Sequence, residues 1–333
     1  MVHSLSAYLT CSRKVLDVLA EVARKKPQLI LDIALPVFLA ELPDSETSET
    51  RDLVRRRKPY KAILAALAQI SSERVIFEVL LRRLFSKLDI VLSSIFRFTS
   101  SLIPDSTSSI SYPHAILGTI FLILRNKAES EDADLPSYVD TLIPTLLSKV
   151  IIPAAIPGPR TRVLCSPEVV HVVSLIINVI VRTADVQIQN TFYQELFNLY
   201  VSSEPSSLIS SNHEEIAQRF RPFSPDAEDA QAETVQIFVA AIAAARSQAG
   251  FPMGDMSQLL LQAVEIVTGS HDDPRRSSLL KMTSCILNKE QSDAQIRKFV
   301  DSVVDNLWTS KQDHDRRKES LELISWVYML RYV

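Results

Sequence analysis

The sequence is poor in glycine: Gly118, Gly158, Gly250, Gly254 and Gly269 are all it has in 333 residues, against a usual share of ~7%. Sheets, barrels and phosphate-cradling loops need glycine for positive-φ turns and close backbone approach, whereas helix pairs joined by polar loops do not. Cysteine is equally scarce. Cys11, Cys165 and Cys285 are odd in number and far apart, which excludes a disulfide framework and fits a reducing compartment. The charges nearly balance, at a net −3, so no global attraction draws the chain to nucleic acid or to an anionic membrane. Long apolar runs are also missing. Val169–Val181 is interrupted by His171, Ser174 and Asn178 and falls short of the ~20 residues that a bilayer requires. The beginning, Met1-Val2-His3-Ser4, lacks the basic segment and apolar core of a secretion signal.

What is present is helical periodicity. Hydrophobic residues make up 47% and charged residues 23%, an ordinary globular composition, and the apolar positions recur at three-to-four spacing in almost every segment. The spacing predicts helices near residues 4–25, 28–42, 58–71, 74–98, 111–126, 136–151, 167–183, 187–201, 229–248, 255–268, 274–288, 293–308 and 315–331. The predicted helices echo one another in pairs. Leu16–Val22 aligns with Leu64–Ile70, and Leu35-Pro36-Val37-Phe38-Leu39 aligns with Ile143-Pro144-Thr145-Leu146-Leu147. A recurrence of ~40–47 residues is the HEAT/armadillo period. The expected fold is therefore all-α, a HEAT/armadillo-like α-solenoid of about six helix pairs. Pro36 and Pro144 are expected inside second helices, bending them. The expected organisation is about three pairs over residues 1–152 and a continuation of the same array over 160–333, with a possible break near 202–228, where composition shifts.

Recognisable chemistry is absent. The histidines His3, His114, His171, His213, His271 and His314 stand apart, with no Cys or His at ligand spacing. His171 reads as a core-edge residue and Cys285 as a small buried hydrophobe. No phosphate loop, nucleophile elbow or nucleophile–base signature occurs, and Asp272-Asp273 before Pro274 reads as a helix cap. No catalytic, cofactor-binding or metal-binding residue is expected, and the function expected is binding. Two segments carry side chains suited to it. One is Arg55-Arg56-Arg57-Lys58, with Lys61 nearby, which also reads as a solvated loop end or an import signal. The other is Phe220-Arg221-Pro222-Phe223, whose arginine and rings are types enriched in hot spots, although Phe220 and Phe223 also read as staples holding the loop to the array.

Several stretches, in this order along nearly the whole chain, resemble the MMS nineteen nucleotide-excision-repair and transcription family. They are Lys26-Pro27-Gln28-Leu29 leading to Leu35–Leu39, then Phe77–Leu84 with Lys87-Leu88-Asp89, then Arg219–Phe223, then Leu287-Asn288-Lys289 and the tryptophan helix around Trp326-Val327. The resemblance implies a piece from the middle and C-terminal half of a longer helical-repeat scaffold. It implies a non-catalytic adaptor of cytosolic iron–sulfur protein assembly, found in cytoplasm and nucleus. The implied partners are assembly factors and apoprotein clients of DNA repair, replication and transcription, with no cofactor, direct nucleic-acid contact or membrane. A karyopherin-like or other HEAT-repeat scaffold is the alternative, and would show strongly acidic inner helices. A chromatin scaffold would need a basic stripe longer than Arg55–Lys58.

Overall fold

The computed structural model describes residues 13–44, 59–71, 73–98, 108–158, 160–209, 213–246, 259–260, 262–267 and 273–289, with isolated helical positions between 297 and 325. Among these residues every regular element is helical and no strand occurs. The chain divides into two compact units between Ala133 and Asp134. That division falls in the acidic turn after a long helix. The segment near 202–228 lies inside the second unit.

In the first unit, α1 (Arg13–Lys25) is followed by α2, a continuous helical run of Pro27–Leu29, a π-helical turn Ile30–Ala34 and Leu35–Ala40. Then come α3 (Pro59–Ile70), α4 (Arg74–Phe98) and α5 (Ser108–Glu129). Proline opens α2 and α3, where the first turn has no acceptor for an N–H and the fixed φ already suits a helix. The first helices α1, α3 and α5 stack in succession, and α4 packs on α5. Ile63, Leu67, Leu80, Leu84, Ile116 and Ile120 are buried in this unit, one face of each helix, as the 3.6-residue period requires.

The two prolines expected inside second helices behave differently. Pro36 lies within the α2 run, and just before it the helix widens: Leu35 N–H bonds the Ile30 carbonyl, closing the π turn. Proline cannot donate, so the ladder is relieved by one wider turn. Pro144 bends no helix interior. The segment expected to be one helix from 136 is a 3₁₀ turn, Leu135–Tyr138, and then α6 (Leu142–Ala155), so Pro144 falls in the first turn of α6, where a missing N–H costs nothing. The proline inside α6 is Pro153. The run Leu135–Ala155 is long and apolar enough to cross a membrane by length and composition, yet more than half of it is buried within the protein. Ile143, Leu147 and Ile151 are fully covered.

The second unit continues with a one-turn helix α7 (Thr161–Leu164), α8 (Pro167–Thr183), α9 (Val186–Phe197) running into a π turn Asn198–Ser202, α10 (His213–Arg219), α11 (Asp229–Ala244) and α12 (Arg276–Lys289). Ser166 caps α8 by accepting from Val169 N–H at 3.4 Å, and Asp185 caps α9 by accepting from Ile188 N–H at 2.9 Å. Helix α8 packs along α11, and α11 along α12. Polar groups fix this register. Asn178 Nδ2 donates to the Ala240 carbonyl at 2.7 Å, and Tyr193 Oη to that of Ala241 at 3.0 Å. Gln189, fully buried on α9, donates to the Val181 carbonyl at 2.8 Å and accepts from Arg246 N–H at 3.0 Å. It therefore ties the ends of α8 and α11 together.

Candidate partner-binding loop

Residues 220–228 join α10 to α11. Phe220 N–H closes onto the Ile216 carbonyl at 2.8 Å, ending α10, and a turn follows in which Ser224 N–H bonds the Arg221 carbonyl at 3.0 Å. Gln231, buried in the first turn of α11, reaches back across the loop. Its Oε1 accepts from Arg221 N–H at 2.7 Å and its Nε2 donates to the Arg219 carbonyl at 3.1 Å.

The rings of the loop point inward. Phe220 is fully buried and meets Tyr200 edge-on at 5.0 Å between centroids. Phe223 is 6% exposed and meets Phe238 of α11 at 5.4 Å, while Tyr200 and Phe238 lie 5.3 Å apart. Edge-to-face contacts of this kind add to the area that the rings bury. Tyr200 Oη donates to the Thr234 carbonyl at 3.3 Å. Burial pushes its hydroxyl far above the ordinary tyrosine range, so it stays a neutral donor. Phe220 and Phe223 therefore staple the loop to the helices and offer no ring to a partner. Of the aromatic/arginine group expected here, Arg221 alone is exposed.

Arg275 was not legible in the sequence. Its side chain is 3% exposed. Its Nε and Nη2 bond both carboxylate oxygens of Asp273, at 2.9 and 2.6 Å, and Nη1 donates to the carbonyls of Pro222 and Ser224 at 2.9 and 2.6 Å. Burial by itself would raise the Asp273 carboxyl, but hydrogen bonds from the guanidinium and from Arg275 N–H outweigh it and hold the carboxyl below its usual range. A bidentate, buried ion pair at the start of α12 thus clamps the aromatic loop some fifty residues earlier. The capping role expected of Asp273 is present, since its Oδ1 accepts from Arg275 N–H at 2.8 Å. Asp272 lies outside the described residues.

Arg55, Arg56, Arg57 and Lys58 lie outside the described residues, and Lys61 beside them is exposed on α3. Arg82 and Arg83 are exposed on α4. His171 is exposed on α8, with Nδ1 3.0 Å from Gln236 Nε2 of α11. Cys285 is half-buried, not the covered hydrophobe expected. That role belongs to Cys165, whose thiol donates to the Val150 carbonyl at 3.5 Å and is pushed by burial up to about 12. Among the described residues no three of His, Cys, Asp and Glu come together as a metal site.

Residues 63–329 match the profile of a family described as RNAPII transcription regulator C-terminal. Over 320 residues the chain is 23% identical to the DNA repair/transcription protein mms19 of Schizosaccharomyces pombe. That similarity covers 95% of this chain and 29% of the relative, so the chain spans less than a third of the yeast protein's length.

Proposed function

The chain belongs to the MMS19 C-terminal family of RNAPII transcription regulators, and on that premise we propose that it is a non-catalytic scaffold whose inter-helix loops hold protein partners. The resemblance carried by Lys26–Leu29, Phe77–Leu84 and Arg219–Phe223 supports the finer reading. In that reading the chain serves as an adaptor of the cytosolic iron–sulfur targeting complex. It brings assembly factors to apoprotein clients of DNA repair, replication and transcription, in cytoplasm and nucleus. The name of the yeast relative, a DNA repair/transcription protein, agrees with such clients.

The observation that carries the binding role is the 220–224 loop. Its backbone is held by Gln231 and Arg275 and its rings are buried, yet Arg221 projects from it exposed. A rigid loop presenting a guanidinium loses little entropy when a carboxylate partner docks. No chemical step and no bound cofactor enters this reading.

The test is capture of purified iron–sulfur assembly factors and cluster-dependent helicases or polymerases by the tagged chain. Arg221→Glu should keep the helical spectrum and melting temperature while weakening capture about tenfold or more, the effect of a contact worth ~1.4 kcal/mol. Recovery of Ran-type partners in place of these proteins would overturn the adaptor reading in favour of a karyopherin-like one.

A further inference from the structure

The sequence contains two Ser-Pro dipeptides, Ser166-Pro167 and Ser224-Pro225, and no Thr-Pro. Proline-directed serine kinases require this dipeptide, because their substrate groove accepts a residue without an N–H directly after the acceptor. The fold treats the two serines differently. Ser166 is 6% exposed and its Oγ is the cap of α8. Ser224 lies half-buried in the loop after α10, and the residues following it, Pro225 and Asp226, are exposed. Its Oγ accepts a long hydrogen bond, 3.4 Å, from Asp226 N–H.

We propose that Ser224 is a phosphoacceptor for a proline-directed kinase, and that its phosphate switches the charge of the partner-binding loop. In the step, Ser224 Oγ attacks the γ-phosphorus of a nucleoside triphosphate. The new O–P bond replaces the bond to the departing diphosphate, and the hydroxyl proton passes to the kinase's own base. The clamp survives, because Arg275 holds the Ser224 carbonyl and not its hydroxyl. What changes is the loop surface. Arg221 is three residues upstream in the same turn, while Asp226, Glu228 and Asp229 are exposed downstream. A phosphate adds about −1.5 to −2 charge and acceptor oxygens that suit a guanidinium. Arg221 is thereby engaged within the loop, and the exposed segment becomes uniformly acidic. Phosphoacceptance stands on the loop geometry alone; its effect on partners rests on the role proposed for Arg221.

The experiment incubates the full chain with magnesium ATP and a purified cyclin-dependent or mitogen-activated kinase, followed by intact mass and peptide mapping. A synthetic peptide of residues 217–230 serves as a control for recognition. The expected result is one phosphate per chain, at Ser224, absent from Ser224→Ala and unchanged in Ser166→Ala. The phosphorylated chain should melt within a few degrees of the unmodified one. Phosphate on the peptide but not on the folded chain would overturn the proposal, as would no phosphate on either, or equal labelling of Ser166. If Ser224 is phosphorylated but capture of assembly factors does not change, the role given to Arg221 fails and the modification site stands.

Discussion

Removing Arg275 would leave Asp273 as an unpaired carboxylate and take the donor away from the Pro222 and Ser224 carbonyls. Breaking one side of a buried pair costs ~3–5 kcal/mol, because the remaining charge is stranded. Arg275→Ala should therefore lower stability in urea titrations by about that amount, and quench or shift signals from the Tyr200–Phe220 cluster. The pair also has a pH signature. The Asp273 carboxyl lies below its ordinary 3.8 when folded, so its stabilisation is complete above roughly pH 4 and is lost as pH falls through the folded value. The stability gap between the protein and Asp273→Asn should narrow over that range. Glu233 has the opposite sign. Burial first, then Asp229 and Glu168, raise its carboxyl above 4.5, so its stabilising state is the protonated one and is lost as pH rises. Glu233→Gln should raise the melting temperature at neutral pH, with the difference vanishing below about pH 4.5. Cys165, with its thiol pushed to about 12 and hydrogen-bonded to Val150, should resist alkylation until the chain unfolds, whereas half-buried Cys285 should label in the native state.

Among the helices, a few buried amides decide how neighbours sit. Gln189 bridges the C-terminal ends of α8 and α11 from α9. Gln189→Ala leaves a carbonyl and an N–H unsatisfied in the interior, so a loss of ~1–3 kcal/mol by chemical denaturation is expected. The helices themselves are legible because their apolar residues repeat at 3.6: in the stretch Leu64–Ile70 that aligns with Leu16–Val22, Leu64, Leu67 and Ile70 are all buried. Their ends are less so. Pro144 reads as interior because Ile143–Leu147 aligns with Leu35–Leu39 within one predicted helix over 136–151, and the period does not mark the break where the 3₁₀ turn gives way to α6. The π turns in α2 and after α9 leave no mark in apolar periodicity, since they add one residue without moving the buried face far. The short helices α7 and α10 lie in segments that read as loops, being too brief to show a period.

For the whole chain, near-neutral charge and the absence of a long basic stripe set an expectation against direct DNA binding. Fluorescence anisotropy of a labelled duplex should stay flat up to micromolar chain at 150 mM salt. A salt-dependent rise would show a direct nucleic-acid contact and count against the reading that expects none. The sequence by itself determined the all-α class, because sparse glycine and helical periodicity in almost every segment disfavour sheets, and every regular element among the described residues is helical. The order of its motifs also determined the family. Tertiary structure decided which residues are available to a partner. Phe220, Arg221 and Phe223 are equivalent candidates in a string of letters, but the fold buries the rings against Tyr200 and Phe238 and leaves Arg221 outside. It also decided that Arg275 belongs to that loop. Local periodicity reports which face of a helix avoids water, whereas a clamp between residues some fifty positions apart exists only once packing has brought them together.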